Sequence, residues 1–262
     1  MLRRVAATRY VVPLREGGSL PAVMEADDGA AYVVKFRGAG QGPRALVAEV
    51  VVGELARGLG LPVPELVIIS VDPAIGRNEG DPEIRSLVVG SAGDNAGLGF
   101  LPGAINFDPA ATRDLAALDR ALLARIVAFD AFAQNMDRTA KNPNLMWCHG
   151  QLWLIDHGAA LYWQHDWDGG LDGVRSPFAL IARHVLLPHA SSITAEAAWL
   201  LAGLDDMAIT KAVAAVPEDW WTAPPALEPA DYRAAFAARL AARRDAHTTY
   251  LEEAEGARAR AL

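Results

Sequence analysis

The side chains best suited to chemistry lie in the middle of the chain, in two short polar segments. Asp137 and Asn142 are five residues apart in the first segment, and Asp156 follows within Leu154–Gly158. Phosphoryl transfer uses one carboxylate to orient or deprotonate a hydroxyl, and it uses oxygen ligands to hold Mg²⁺ on nucleotide phosphates. Asp137 is therefore the predicted catalytic residue, and Asn142 and Asp156 are the predicted Mg²⁺ ligands. Lys141 is the predicted cation that reaches the γ-phosphate.

A second group of candidates lies within the first third of the chain. Lys35 stands in an apolar strand-like segment, where an ammonium is costly to bury unless an anion meets it. A nucleotide phosphate and a helix glutamate would serve as those anions. Glu49 is the predicted partner of Lys35, and Glu54 is the alternative because it could also face the sheet. The Gly17-Gly18-Ser19 turn is predicted to let backbone N–H groups approach the phosphates.

Each of these motifs also has an ordinary structural explanation. An aspartate and an asparagine in a polar loop usually serve as turn residues, and a strand lysine usually points into solvent at a sheet edge. Their order along the chain favours a catalytic role over a structural one. The chain contains, in this order, a glycine turn, a strand lysine, a helix glutamate, a long helix, the Asp-x₄-Asn loop, a hairpin and Asp-x-Gly. This is the set of features that a phosphoryl-transfer site requires.

The elements that must position these residues divide into a β-rich part and a helical part. The first three predicted strands form an antiparallel meander, because tight turns separate them. Pro43 opens a predicted helix that runs to about Arg57. Glycines cluster near residues 92–105, and this cluster divides the chain into predicted lobes 1–100 and 101–262. The predicted strands of the first lobe are Arg9–Val12, Ala22–Glu25, Ala31–Phe36, Leu66–Val71 and Ser86–Gly90.

The second lobe is predicted to be mainly helical. Apolar residues recur at steps of three and four from a Thr112 N-cap to about Asn135, which indicates a long core helix. A hairpin then pairs Leu145–Cys148 with Leu152–Ile155. The remaining predicted helices are rich in Ala and Leu: Pro177–Leu187, Ala195–Leu201, Met207–Val216 and Ala230–Leu251.

Composition limits the class of protein. With 24 basic and 32 acidic residues the net charge is −8, so nucleic acid is not an expected partner. The single cysteine, Cys148, excludes an intrachain disulfide and a cysteine-ligated zinc site. No run approaches the roughly 18–20 apolar residues of a membrane span, and Arg9 interrupts any signal-peptide core. A cytoplasmic protein is therefore expected.

Several other conspicuous side chains are predicted to have structural roles. The tryptophan pair fills the core of the helical lobe, the histidines lack metal-ligand spacing, and the arginines near the C-terminus form a solvated helix face. These residues are Trp220, Trp221, His149, His157, His184, Arg239, Arg243 and Arg244.

Four segments of the chain resemble the short HipA-like kinase domain family, a bacterial branch of the protein-kinase-like fold. They are Tyr32–Phe36, Glu49–Glu65, Asn135–Asn144 and Ile155–Gly158, and the resemblance covers roughly residues 10–190. It implies an α+β, two-lobed protein-kinase-like fold, with a small antiparallel β lobe that carries one helix and a larger helical lobe.

The resemblance also implies site roles, with ATP bound between the lobes. Lys35 would bind the nucleotide phosphates, Asp137 would be catalytic, and Asn142 and Asp156 would hold Mg²⁺. The catalytic segment reads Asn-Met-Asp where protein kinases have His-Arg-Asp, and the metal segment reads Asp-His-Gly in place of Asp-Phe-Gly.

The function expected from sequence is an ATP- and Mg²⁺-dependent kinase that phosphorylates a hydroxyl, most simply a protein serine or threonine. A small-molecule or lipid kinase is the alternative within enzymes. A nucleotide-binding pseudokinase without turnover is the alternative outside them. Retention of Lys35, Asp137, Asn142 and Asp156 together favours an active enzyme.

Overall fold

The chain folds into a β-barrel lobe followed by a mainly helical lobe. The computed structural model describes residues 1–14, 20–40, 42–110, 118–167, 171, 173–225 and 227–261. Within these residues the strands are β1 (Arg3–Pro13), β2 (Ala22–Ala26), β3 (Ala31–Lys35), β4 (Leu66–Val71), β5 (Gly93–Gly99), β6 (Ile105–Asn106), β7 (Leu145–Cys148) and β8 (Gln151–Leu154).

The helices are concentrated in the second lobe, which contains five of the seven α-helices found in the described residues. Short 3₁₀ turns connect them, among them Ala179–Arg183 and Glu218–Trp220. The α-helices are α1 (Pro43–Gly58), α2 (Pro82–Gly90), α3 (Arg120–Ala133), α4 (Ala197–Gly203), α5 (Asp206–Ala214), α6 (Pro229–Asp245) and α7 (His247–Ala261).

The β lobe is a closed barrel with strand order β1-β2-β3-β5-β4. The predicted antiparallel meander of β1, β2 and β3 is confirmed. Strand β1 is long enough to pair twice, antiparallel to β2 through its second half and parallel to β4 through Arg3–Ala6. This one parallel pair closes the barrel, and the lobe holds two helices where the sequence indicated one.

The predicted strand Ser86–Gly90 is wrong, because these residues belong to helix α2. Asp81 caps the helix by accepting a hydrogen bond from the Glu83 N–H at 3.0 Å, and proline follows the cap. Ile84 and Val88, four residues apart, then reach the barrel core. A helix start signal therefore outweighs the β-branched residues that suggested a strand.

The fifth strand instead lies in the glycine-rich segment that suggested a boundary between the lobes. Gly97 of β5 pairs with Val67 of β4. A β-carbon at Gly97 would lie 2.8 Å from Val67 Cγ2, so the barrel wall requires a residue without a side chain there. Glycine in this segment serves close packing within the sheet.

The long core helix begins later than predicted. Thr112 lies outside the described residues, and α3 is capped by Asp119, whose carboxylate accepts a hydrogen bond from the Ala121 N–H at 2.9 Å. Ten of its fourteen residues are buried. Gln134 ends it in the left-handed conformation, with φ 51°, and the chain enters the polar loop directly.

Two predictions for the last third of the chain are wrong. Pro177–Leu187 forms 3₁₀ turns in place of an α-helix, because His184 has an extended backbone that ends the first turn. Arg243 is buried, where the sequence suggested a solvated face; its guanidinium donates to the carbonyl oxygens of Val174, Ser176 and Ala131 at 2.6–3.1 Å. Arg239 is buried as well, and burial lowers the pKa of Arg243 to about 10.

Two hydrophobic cores stabilise the molecule. A small core fills the barrel, and a larger one runs from α1 through α3 to the C-terminal helices. Trp220 and Trp221 are buried in the larger core, as predicted. Because α1 and residues of β4 and β5 belong to the larger core, that core joins the β lobe to the helical lobe.

Candidate active site

Lys35 lies at the end of β3, where its ammonium meets two carboxylates from different parts of the chain. Its Nζ is 2.7 Å from Glu49 Oε2 and 2.6 Å from Asp156 Oδ1. The register of the barrel places Lys35 opposite Ala96 of β5. Lys35, Glu49 and Asp156 are called the inter-lobe cluster below, because they come from β3, α1 and the segment after β8.

Glu49 is the buried member of this cluster. Besides Lys35 it accepts a hydrogen bond from the His157 N–H at 2.7 Å. Burial by itself would raise the pKa of Glu49, but the Lys35 charge and the neighbouring His157 side chain outweigh it and hold that pKa well below its usual range. Glu54, the alternative partner, instead bonds Arg57 one helical turn away, at 2.8 Å.

Lys35 stays charged because the neighbouring carboxylates stabilise its ammonium. Burial favours its neutral form, yet the Glu49 and Asp156 carboxylates together raise the pKa of Lys35 above its ordinary value. The side chain of Asp156 is 44% exposed, whereas that of Glu49 is fully buried. The cluster therefore carries one positive and two negative charges, and the second carboxylate faces solvent.

Asp156 occupies an unusual backbone conformation directly after β8. Its φ is 55°, in the left-handed region that few residues other than glycine adopt outside turns and functional sites. The turn presents the carboxylate to Lys35 and places the next N–H, that of His157, on Glu49. One local bend thus supplies two contacts of the cluster.

Asp137 is half-buried in the polar loop after α3, and two amide groups hold it. Its Oδ2 accepts hydrogen bonds from Asn142 Nδ2 at 2.7 Å and from Asn144 Nδ2 at 3.2 Å. Asn142 is exposed. Lys141 is exposed too, and the described residues offer its ammonium no ion-pair partner.

The Asp137 loop and the Asp156 turn are joined through the backbone. Asn144, which contacts Asp137 through its side chain, accepts a hydrogen bond at its carbonyl from the Ile155 N–H at 3.1 Å. Arg138 donates to the Asn144 and Ile155 carbonyl oxygens. The two acidic residues therefore belong to one connected region, which extends to Lys35 in the barrel.

A second ionic cluster lies beneath the loop, fully buried. Asp130 Oδ2 contacts Arg138 Nε at 2.6 Å and His184 Nε2 at 2.9 Å. Backbone contacts extend the connection, since the Val185 N–H donates to the Arg138 carbonyl at 3.0 Å and Thr139 forms a β-bridge with His184. Asp130, Arg138 and His184, called the loop-anchor cluster below, tie the Asp137 loop to α3 and to the segment around residue 184.

The hydrogen bonds of His184 define its protonation state. Its Nδ1 accepts from the Leu186 N–H at 3.1 Å, so the proton of the neutral ring lies on Nε2 and is donated to Asp130. Burial lowers the pKa of His184, and Asp130 only partly opposes that effect. Burial would raise the pKa of Asp130, but the Arg138 guanidinium outweighs it and holds that pKa low.

A sequence model of the family described as HipA-like kinase matches residues 9–250. The chain belongs to the HipA-like kinase family. It is therefore a phosphotransferase, and the resemblance noted in the sequence is confirmed. No curated protein matches the chain in a sequence search.

A solved kinase structure shows the fold of this HipA-like kinase. The Helicobacter pylori proinflammatory kinase CtkA is 12% identical, with 99% of each chain covered and a TM-score of 0.60, which confirms the two-lobed kinase-like fold. A Golgi casein kinase with Mn/ADP bound is 14% identical over 96% of this chain and 73% of its own. Its TM-score of 0.49 is too low to support a conclusion about the site.

Sequence reasoning missed several residues that shape the site of this kinase. Asn144 orients Asp137, and the His157 backbone supports Glu49. Asp130 had a signal, because a carboxylate within the apolar stretch of a core helix needs a buried cation. The Gly17-Gly18-Ser19 turn lies outside the described residues, so its place at the phosphates stays a prediction.

Two kinds of feature are not found in the described residues. No group of three or more His, Cys, Asp and Glu side chains there is arranged to hold a metal ion. Among the described helices, none combines the length and apolar character that crossing a bilayer requires.

Proposed function

We propose that this HipA-like kinase binds Mg·ATP between its lobes and transfers the γ-phosphoryl group to a serine or threonine hydroxyl of a protein. The observation that carries the proposal is the Lys35 ammonium, held between buried Glu49 and exposed Asp156. This arrangement supplies a cation for phosphates beside a carboxylate for a metal ion.

Lys35 is proposed to bind the nucleotide phosphates. An ammonium has three N–H donors, and the two carboxylates of the inter-lobe cluster take two of them. The third can meet a phosphate oxygen. Because Glu49 is buried and fixed by the His157 N–H, it would keep Lys35 in one orientation and leave the Asp156 carboxylate available to hold a metal ion.

The oxygen donors present fit a nucleotide-bound Mg²⁺. Mg²⁺ is usually held by one or two carboxylates together with substrate phosphates, and rarely by a cage of protein ligands alone. The partly exposed Asp156 carboxylate and the Asn142 amide match that pattern. When bound, Mg²⁺ would offset the phosphate charge.

Asp137 is proposed to orient the acceptor hydroxyl and take its proton. Both amides contact Oδ2, so Oδ1 can accept the hydrogen bond of the hydroxyl. The acceptor oxygen bonds to the γ-phosphorus as the bond to the β–γ bridging oxygen breaks, and ADP leaves. The exposed Lys141 is proposed to reach the transferred group and offset its charge.

Transfer of label from γ-labelled ATP tests this function. Wild type and Asp137→Asn are each incubated with Mg·ATP and with separate pools of dephosphorylated proteins, small alcohols and lipids. Label on serine or threonine with wild type alone is the expected result. The protein acceptor is inferred from family membership, so this experiment decides it.

Other outcomes have defined meanings. Label that appears only on a small molecule or lipid would replace the protein acceptor and keep the kinase site. Binding of Mg·ATP without transfer to any pool would support a pseudokinase. Failure of wild type to bind Mg·ATP at all would contradict the proposed site.

A further inference from the structure

Helix α1, which carries Glu49, is enclosed by both lobes. Ten of its sixteen residues are buried, and they point in all directions around the helix. On the barrel side, Gly53 lies so close to β4 that a β-carbon there would stand 2.5 Å from Leu66 Cδ1. The position of α1 relative to the sheet is therefore fixed by close backbone approach.

The helical lobe contacts the C-terminal end of α1 equally closely. Leu59, the residue after the helix, is buried against Gly203 at the end of α4. A β-carbon at Gly203 would lie 2.2 Å from Leu59 Cδ2 and 3.1 Å from its Cγ. Any side chain at position 203 must therefore displace the Leu59 side chain, which lies directly after α1.

The strand that carries Lys35 is tied to the same part of the helical lobe. Arg37 Nη1 is 2.8 Å from Asp219 Oδ2, in the 3₁₀ turn Glu218–Trp220. The Arg37 N–H also donates to Asn95 Oδ1 of β5 at 2.8 Å. The ion pair is partly exposed, so its own energy is small, but it links the two lobes beside Lys35.

The packing between these contacts is continuous. Helix α1 packs against α5 and against the Glu218–Trp220 turn, and Trp220, Ile209 and Val213 share its hydrophobic core. The interior of a protein is close-packed, so a helix inside a shared core moves only when its neighbours move. The helical lobe is thus positioned to control where Glu49 stands.

We propose that Gly203 and Asp219 are positioning residues for the nucleotide phosphates. Through Leu59 and Arg37 they hold α1 and β3 so that Glu49 keeps Lys35 in place. This inference rests on the proposed function, because it assumes that Lys35 binds phosphate. Neither residue contacts the inter-lobe cluster, so both act through the elements that carry it.

Overpacking at Gly203 tests the inference. Gly203→Val should weaken Mg·ATP binding by about tenfold, measured by calorimetric titration, because it displaces α1. The same variant should bind adenosine, which lacks phosphates, with an affinity within about twofold of that of the wild type. Adding Leu59→Ala makes room for the valine and should restore Mg·ATP binding. The exposed neighbour Ala202→Val on α4 is the matched control and should bind as wild type does.

The possible outcomes separate this inference from the proposed function. A wild type that does not bind Mg·ATP removes the proposed function. If the wild type binds Mg·ATP and a folded Gly203→Val variant binds it with equal affinity, the positioning role is overturned. The same holds if the variant loses affinity for adenosine to the same degree as for Mg·ATP. Failure of Leu59→Ala to rescue the variant would overturn it as well.

A second pair of variants keeps the test decisive if Gly203→Val does not fold. Arg37→Glu and Asp219→Arg should each weaken Mg·ATP binding by about threefold, as expected for a partly exposed ion pair. The double variant, which restores the pair in reverse, should recover the wild-type affinity. Single variants with unchanged affinity, or a double variant as weak as the singles, would contradict the inference.

Discussion

The inter-lobe cluster and the loop-anchor cluster are both built around buried carboxylates, yet they differ in charge and access. The first sets Glu49 and Asp156 on one ammonium, and Asp156 faces solvent. The second sets Asp130 between a guanidinium and a neutral imidazole, with every member buried. An excess of negative charge at an exposed oxygen suits the binding of a cation, whereas a neutral buried network suits the fixing of a loop.

We expect this difference to separate residues that bind ligands from residues that stabilise the structure. Loss of the Asp156 or Asp137 carboxylate, neither of which is fully buried, should change binding or transfer with little change in folding. Loss of a carboxylate from the loop-anchor cluster should change folding first. The predictions that follow test each side of that division, with the largest expected effect first.

Asp137→Asn should reduce phosphoryl transfer by about 10²–10⁴-fold, the usual contribution of a positioned base. The amides of Asn142 and Asn144 remain in place, so Mg·ATP binding should stay within a few-fold of wild type. Transfer rates and calorimetric titration measure the two effects. Asp231→Asn, in the first turn of α6, is the surface control. Loss of Mg·ATP binding in Asp137→Asn would indicate a structural role.

Asp130→Asn should lower the free energy of unfolding by about 3–5 kcal/mol, because it leaves the buried Arg138 without its carboxylate. Asp156→Asn should cost less than about 1 kcal/mol, because its side chain is partly exposed and Glu49 still pairs with Lys35. Urea denaturation of both variants measures the contrast. Equal losses of stability would erase the distinction between the clusters.

Mg·ATP should stabilise the wild type by about 2.7 kcal/mol at a hundredfold excess over Kd, and EDTA should remove most of the gain. Asp156→Asn should respond to ATP to the same small extent with and without Mg²⁺, since it lacks the proposed ligand. Thermal unfolding with each combination measures this. An Asp156→Asn variant with the full Mg²⁺-dependent shift would remove Asp156 from the metal site.

The smallest effect is a pH dependence from His184. Its pKa is lowered in the folded state, so the unfolded chain binds its proton more readily, and stability present above about pH 6.5 falls as pH decreases. The loss is at most about 1.4 kcal/mol for each pH unit. His184→Gln should flatten that part of the curve, measured by urea unfolding from pH 7.5 to 5.5. An unchanged slope would place the titration elsewhere.

Much of the fold could be predicted because local signals and tertiary packing agree. The Asp-Gly turn and the alternating strands led directly to the β1-β2-β3 meander, and the hairpin of β7 and β8 was equally clear. Prediction failed where a helix cap or close packing decided the secondary structure against the local residue types. Residues 86–90 look like a strand but follow a capped helix start, and Gly97 belongs to a strand only because its neighbours in β4 need the space.

The site divides in the same way. The types and order of Lys35, Asp137 and Asp156 pointed to one region, but sequence alone could not choose between Glu49 and Glu54. That choice depends on the rotation of α1 in a core shared by both lobes. The loop-anchor cluster was missed because Arg138 and His184 are separated from Asp130 in sequence and meet its carboxylate only in the folded chain.

Calorimetric titration of Mg·ATP into Lys35→Ala and Lys211→Ala tests the central claim most directly. Lys211 is an exposed lysine of α5, so its variant controls for the loss of one positive charge. Lys35→Ala should bind Mg·ATP at least about tenfold more weakly than wild type, while Lys211→Ala should match wild type. Equal affinity in all three proteins, measured where Lys35→Ala is folded, would contradict the assignment of Lys35 to the nucleotide phosphates.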